Sequence, residues 1–107
     1  MQKNGPLFKN EGGHASITGG WFRAANLDTN NAYPMVEVAG GYLILNGTQG
    51  EAGMTNGYDW GIQIDAGAFT VNVVGNQFTD VKGVTPWNTS PTTHAGNTLN
   101  GVCVDTC

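Results

Sequence analysis

Basic side chains are scarce in this sequence. Four Lys and Arg residues stand against eight Asp and Glu residues, so the formal net charge is −4. Affinity for a phosphate backbone needs several cations close together, and none cluster here, so nucleic acid is not expected as a partner. The sequence also has no apolar run near the roughly 20 residues that cross a bilayer, and no signal-peptide core. We therefore expect neither membrane insertion nor an encoded export signal.

Cysteine is limited to two residues, Cys103 and Cys107. If the chain between them were an extended strand, their Cα atoms would lie roughly 13 Å apart, beyond the ~7 Å limit for a disulfide. An intrachain bridge would need a turn at Asp105 or Thr106, so we expect two free thiols. His94 alone adds too few ligands for a metal site. We predict no metal and no other cofactor.

Capped runs of good helix formers are missing, and a repeat of 28 residues is present instead. Three alternating segments, 15–21, 43–49 and 71–77, align at this spacing, and each has a glycine at its fifth position. The apolar residues recur with a period of two, which is the spacing of strands and not of helices. Gly, Asn and Thr occur throughout and suit the tight turns between strands.

A second set of segments follows the same period. Residues 6–9 align with residues 62–65 at an offset of 56, and residues 36–39 fit between them if one connection is two residues shorter. Repeats of this length are typical of solenoids, in which each unit buries its apolar face on a neighbour. We predict an all-β chain folded as a parallel β-helix of about three to four coils. Residues 1–107 would form one domain with a long loop excursion at 79–100.

The ends of such a stack are expected to be open. Residues 101–105 resemble residues 61–65, so they are predicted to begin a further coil that the sequence does not complete. Open ends carry unpaired backbone groups and need to be covered. We therefore expect a fragment of a longer protein or one protomer of a homotrimer, because three chains in cyclic symmetry shield one another's edges.

Two carboxylates are candidates for catalysis. In the predicted register Glu37 points outward next to Gln63 of the following coil, and Asp65 is one outward step further along. Diagonal neighbours in a sheet are roughly 7 to 8 Å apart, which falls within the about 6.5 to 9.5 Å between the carboxyl groups of inverting glycosidases. Glu37 and Asp65 are thus the predicted catalytic pair, with ordinary solvated surface residues as the alternative.

Aromatic residues are candidates for ligand binding. An apolar sugar face stacks on Trp or Tyr, while the sugar hydroxyls bind polar neighbours. The predicted ligand-binding residues are Tyr58, Asp59, Trp60 and Trp87, and Trp87 lies in the predicted loop excursion. Packing of these aromatic side chains in the core is the alternative.

Two stretches of the sequence carry a family resemblance. Residues 61–65 followed by residues 69–80 resemble one coil of the right-handed, pectate-lyase-like β-helix, in which a strand ends in Gly-Asn-x-Phe, here Gly75–Phe78. The Gly-, Asn- and Thr-rich composition without a secretion signal is most similar to a segment of a bacteriophage tailspike or tail fibre. The calcium-binding Asp cluster and the catalytic Arg of pectate lyases have no counterpart in this sequence.

The resemblance implies a homotrimeric virion-tail protein that binds bacterial surface polysaccharide and helps attachment to the host cell. Three alternatives stay open. The chain is a purely structural segment of a trimeric fibre, a depolymerase of the glycoside hydrolase class, or a secreted adhesin passenger. Whether any bond is cleaved is left undecided by the sequence.

Overall fold

The computed structural model describes residues 6–23, 34–51, 60–79, 81 and 85–107. Within these ranges the chain is all-β and contains no helix, which confirms the predicted class. No helix long and apolar enough to cross a membrane occurs in the described ranges.

The strands follow one another in short passes along the chain. The first pass contains β1 (Phe8–Asn10), β2 (His14–Thr18) and β3 (Trp21–Arg23); the second contains β4 (Val36–Val38), β5 (Gly41–Asn46) and β6 (Gln49–Glu51); the third contains β7 (Ile62–Ile64), β8 (Ala68–Val74) and β9 (Gln77–Thr79); and β10 (Thr93–Ala95), β11 (Thr98–Leu99) and β12 (Val102–Cys103) come last.

Three sheets collect these strands in a regular order. Sheet 1 has the order β1-β4-β7, sheet 2 has β10-β8-β5-β2, and sheet 3 has β12-β11-β9-β6-β3. Each of the first three passes adds one strand to every sheet, and the new strand pairs in parallel with the strand from the previous pass. After them, β10 extends sheet 2 and β11 extends sheet 3 in parallel, and β12 then pairs with β11 in antiparallel orientation.

The register of sheet 2 confirms the 28-residue repeat. Ala15 pairs with Leu43, and Leu43 pairs with Val71. A glycine follows each of these strands with a φ of 70°, 65° and 68° in turn, a left-handed conformation that glycine adopts without the steric penalty of a side chain. The equally spaced glycines are therefore the residues at which the chain leaves sheet 2 for sheet 3.

The register of sheet 1 is partly as predicted. Val36 pairs with Ile62 as expected, but Val36 pairs on its other side with Phe8 and not with Pro6. Phe8 and Ile62 are 54 residues apart, so the predicted offset of 56 is wrong by two. A shift of two residues leaves side chains on the same face of a sheet, which is why the alternation could not detect it.

The core lies between the three sheets. Ten residues predicted to face inward are buried or pack against the buried cluster: Ala15, Ile17, Val36, Val38, Leu43, Leu45, Ile62, Ile64, Val71 and Val73. Successive passes stack these side chains above one another, because parallel neighbours in register point to the same face. Hydrophobic burial between passes stabilises the arrangement.

The segment predicted as a loop excursion, 79–100, contains strands. β10 and β11 pair in parallel with β8 and β9, and Trp87 pairs with Ile62. The described part of this segment therefore extends sheets 2 and 3 and makes a single bridge to β7 of sheet 1. The amide side chain of Asn88 replaces strand backbone here, since its Oδ1 accepts from Ile64 N at 2.7 Å and its Nδ2 donates to Ile64 O at 3.1 Å. Because a side chain and not a strand makes this contact, the sequence shows no alternation of apolar and polar residues here.

The cysteines are bonded, so the expectation of free thiols is wrong. Cys103 and Cys107 form a disulfide with their Cα atoms 6.1 Å apart. The extended geometry assumed for residues 101–105 does not occur, because β12 turns back onto β11 instead of starting a new pass through sheet 1. Residues 101–107 lie against β11 and so cover this end of sheet 3, while β7 and β10 remain the last strands of sheets 1 and 2 at this end.

Candidate functional site

Three aromatic rings form a row on the outer face of sheet 2. His14 pairs directly with Tyr42 on the next strand, and their ring centroids are 4.4 Å apart with an interplanar angle of 10°. Phe69 continues the row, with its centroid 5.6 Å from that of Tyr42 and an angle of 19°. Phe69 is 74% exposed and Tyr42 is 39% exposed. The stacked rings therefore form a ridge that ends on the open Phe69 ring.

A bulge in β8 places Phe69 on this face. Gly41 pairs with Ala68 but Tyr42 pairs with Thr70, so Phe69 is an extra residue without a partner on β5. Strict alternation from Val71 would turn Phe69 toward the core. The bulge reverses this, because one inserted residue shifts the side chains before it to the opposite face. Ala68 packs against the core instead.

The rest of the outer face of sheet 2 is apolar or neutral and polar. The row next to the rings contains Ser16, Ile44, Asn72 and Thr93, and the row beyond it contains Thr18, Asn46, Val74 and Ala95. Ile44 and Val74 are about as exposed as Tyr42, at 39% and 40%. None of the described side chains in these rows is a Lys, Arg, Asp or Glu. The face can therefore stack and hydrogen-bond but offers no strong charge.

The predicted ligand-binding residues lie elsewhere. Trp87 is only 6% exposed, and its ring contacts His94 at a centroid distance of 4.9 Å, so its side chain lies in the core packing that was the alternative, and a role in ligand binding stays a prediction. Its pairing with Ile62 draws the indole into the core. Trp60 is half-buried at the start of the third pass, where its carbonyl accepts from Met35 N at 3.0 Å. Tyr58 and Asp59 lie outside the described residues.

The predicted catalytic carboxylates do come together on sheet 1. Glu37 pairs with Gln63 as expected, and Gln63 Nε2 donates to Asp65 Oδ1 at 3.0 Å. Burial and hydrogen bonding with Asp65 raise the pKa of Glu37, while Lys9 Nζ, 3.8 Å from Glu37 Oε2, opposes the rise.

The proximity of this pair follows from the register of β4 and β7 and agrees with the effect of Asp65 on the pKa of Glu37. A catalytic role for Glu37 and Asp65 stays a prediction.

One group of side chains has the composition of a metal site. The ligand atoms of Cys103, Asp105 and Cys107 lie within 4.8 Å of one another. Both sulfur atoms are joined in the disulfide, and zinc binds cysteine as a free thiolate. In the oxidised state these residues therefore cannot supply the two sulfur ligands.

Comparison with known proteins adds no assignment. No family model, no curated protein and no solved structure matches this chain. The site must therefore be argued from its own geometry.

The repeat predicts only part of the ring row. His14 and Tyr42 are one period apart, so their contact follows from the repeat. Phe69 joins them only because of the bulge, and the position of a bulge depends on how β5 and β8 pair. A Phe ring has the same apolar face as Trp and Tyr, which is the signal that points to Phe69 as a ligand contact.

Proposed function

We propose that this chain is a segment of a right-handed parallel β-helix. The chain contributes strands to the same three sheets in the same order on successive passes, and strands of neighbouring passes pair in parallel; both observations support this fold. The left-handed glycines at a 28-residue spacing support it too, since they mark one repeated corner. The right hand follows from the strong preference of parallel crossover connections.

Within this fold, the outer face of sheet 2 is the proposed binding site for a bacterial surface polysaccharide. The observation that carries the proposal is the ring row of His14, Tyr42 and Phe69, which leaves a Phe ring 74% exposed. A large exposed aromatic surface costs free energy in water, and an apolar sugar face covers such a ring by stacking. The setting proposed for this binding is host attachment by a virion tail.

The proposed ligand is an uncharged polysaccharide. Hydroxyl and amide groups of Ser16, Asn72 and Thr93 lie next to the rings, and such groups hydrogen-bond sugar hydroxyls. An acidic polysaccharide would need cations, and the described outer residues of sheet 2 include no Lys or Arg.

Binding can be tested with a panel of neutral and acidic bacterial polysaccharides. Phe69→Ala should weaken binding of a neutral polysaccharide by roughly tenfold, because the stacking surface is removed. Tyr42→Ala should weaken it to a similar extent. Affinity should stay constant between about 0.05 and about 0.5 M salt, since screening acts only on charged contacts.

A matched control is Val102→Ala, which trims an exposed apolar side chain on β12 at the far end of sheet 3. This variant should bind like the unaltered protein. Equal binding by Phe69→Ala and Val102→Ala would rule out the ring row as the site, and preference for acidic polysaccharides would rule out the neutral class.

A structural segment of a homotrimeric fibre is the second candidate. It is favoured by the apolar side chains of Ile44, Phe69 and Val74, which are exposed on one sheet face. Exposed apolar patches of this kind mark surfaces that pack against another chain. Analytical ultracentrifugation separates the two candidates. A trimer that dissociates in Phe69→Ala and binds no sugar supports the fibre segment, whereas a species whose mass is unchanged by Phe69→Ala but whose sugar binding is weakened supports the binding site.

A further inference from the structure

Residues 101–107, here called the latch, cover β11, the last parallel strand of sheet 3. β12 pairs with β11 in antiparallel orientation, and two backbone hydrogen bonds extend the contact. Gly96 N donates to Thr106 O at 2.6 Å, and Val104 N donates to Asn97 O at 3.1 Å. An uncovered strand edge is open to pairing with another chain, so the latch protects this edge.

The latch also ends a buried line of polar side chains. Asn76 is fully buried between Thr48 and Asn97, which lie in the passes before and after it, and these side chains hydrogen-bond one another. Asn97 is the last amide of the line and has no further pass to bind. Asp105 takes that place, since its Oδ1 accepts from Asn97 N at 2.9 Å and its Oδ2 accepts from Asn97 Nδ2 at 2.8 Å.

The Asp105 side chain, which completes the line of buried polar side chains, is itself buried, whereas the disulfide beside it is exposed. The side chain of Asp105 is 3% exposed and also contacts His94 Nδ1 at 3.1 Å. Cys103 and Cys107, which flank Asp105, are both exposed. A reductant can therefore reach the disulfide without first opening the core, whereas Asp105 depends on the short loop that the disulfide closes.

From this geometry we infer that the latch is redox-sensitive: the Cys103–Cys107 disulfide keeps Asp105 on Asn97, and reduction releases residues 101–107 and uncovers the edge of β11. The step balances with a dithiol as reductant. The dithiol loses two electrons and two protons and becomes a disulfide, while the protein disulfide gains them and becomes two thiols. No other part of the chain needs to change its covalent state.

Hydrogen exchange of single amides, followed by NMR with and without a dithiol, tests the inference. Opening of a five-residue loop is restricted by its cross-link, so reduction should speed exchange at Gly96 and Asn97 by roughly 30-fold. Exchange at Gly47 and Thr48, whose amides donate to Val74 O and Asn76 Oδ1, should not change. Unchanged exchange at Asn97 after reduction would overturn the inference, as would equal acceleration at all four amides, which indicates global unfolding.

Two variants separate the disulfide from the carboxylate. Replacing both cysteines by serine should reproduce the fast exchange at Asn97 and remove any response to the dithiol, which controls for side effects of the reductant. Asp105→Asn keeps the disulfide but loses a charge-assisted acceptor, so exchange at Asn97 should quicken even in oxidised protein. If Asp105→Asn exchanges like the unaltered protein, Asp105 is not the group that the latch holds in place.

Discussion

Asn97 Oδ1 accepts two hydrogen bonds from Asn76, one from the backbone N–H and one from Nδ2, each 3.0 Å long. Asn76 in turn donates through Nδ2 to Leu45 O and accepts from Thr48 N at 2.9 Å. Every polar group of this fully buried amide is thus paired, which is the condition under which an amide can be buried without a large penalty. The line ties three successive passes together.

Truncation of this amide should be costly. Asn76→Ala leaves Thr48 N and Leu45 O without their partner and removes one of the two hydrogen bonds to Asn97 Oδ1, so the free energy of unfolding should fall by about 2 to 4 kcal/mol. Urea unfolding measures the change. Gln77→Ala, at the exposed neighbouring position, is the control and should change stability by no more than about 0.5 kcal/mol. Similar losses in both variants would contradict a special role for the buried line.

Neutralising Glu37 should stabilise the protein at neutral pH. Burial and the hydrogen bond to Asp65 raise the pKa of Glu37, so the folded state holds this proton more tightly than the unfolded state does. Stability is therefore lost as pH rises from the ordinary value of 4.5 through the raised pKa. Glu37→Gln removes this loss and should raise the free energy of unfolding by about 0.5 kcal/mol at pH 7, partly offset by the lost contact to Lys9.

The control for Glu37 is pH itself. At pH 4, where the carboxyl group of Glu37 is protonated in the folded state, Glu37→Gln and the unaltered protein should unfold at nearly the same urea concentration. The prediction would be contradicted if Glu37→Gln lowered the free energy of unfolding at pH 7 but left it unchanged at pH 4.

Acid should weaken the contact between Asp105 and Asn97. Burial alone would raise the pKa of Asp105, but hydrogen bonds from the Asn97 side chain and backbone, together with His94, outweigh it and lower the pKa below its ordinary value of 3.8. The contribution of this carboxylate is complete above the unfolded-state value and is lost as pH falls through the lower folded-state value. Urea midpoints of the unaltered protein should fall between about pH 4 and about pH 2 more steeply than those of Asp105→Asn.

Two glycines should respond differently to alanine. A Cβ at Gly61 would lie 2.5 Å from Phe78 Cδ1 and 3.0 Å from Pro86 O, so Gly61→Ala forces a buried ring and backbone apart and should cost about 1 to 3 kcal/mol. At Gly47 nothing lies within 4 Å, and only the φ of 65° opposes a side chain. Gly47→Ala should therefore cost about 1 kcal/mol. Thermal unfolding compares the two, and a larger loss at Gly47 would mean that Phe78 moves aside without penalty.

The repeat could be read directly because its signals are local. Alternation places Val36 and Val38 on one face whatever the rest of the chain does, and a glycine at each corner reports the left-handed turn that follows. The neighbourhood of Glu37 and Asp65 followed from the same register.

Features that depend on chain reversal or on a change of register could not be read in this way. The disulfide requires β12 to turn back onto β11, and alternation does not report this reversal; its signal is Asn100-Gly101, with φ values of 52° and 80° that suit a two-residue hairpin. The burial of Trp87 depends on its pairing with Ile62. The separation of these two residues does not match the 28-residue period, so the repeat does not predict their contact.

The amino-acid sequence by itself determined the all-β class, the 28-residue register of sheet 2 and the inward faces of its strands, because alternation and glycine placement act over a few neighbouring residues. Only the tertiary structure decided that Phe69 is exposed beside Tyr42 and that Asp105 closes the line of buried amides. Both depend on contacts between distant segments, where a single inserted residue or a reversed strand changes which side chains meet.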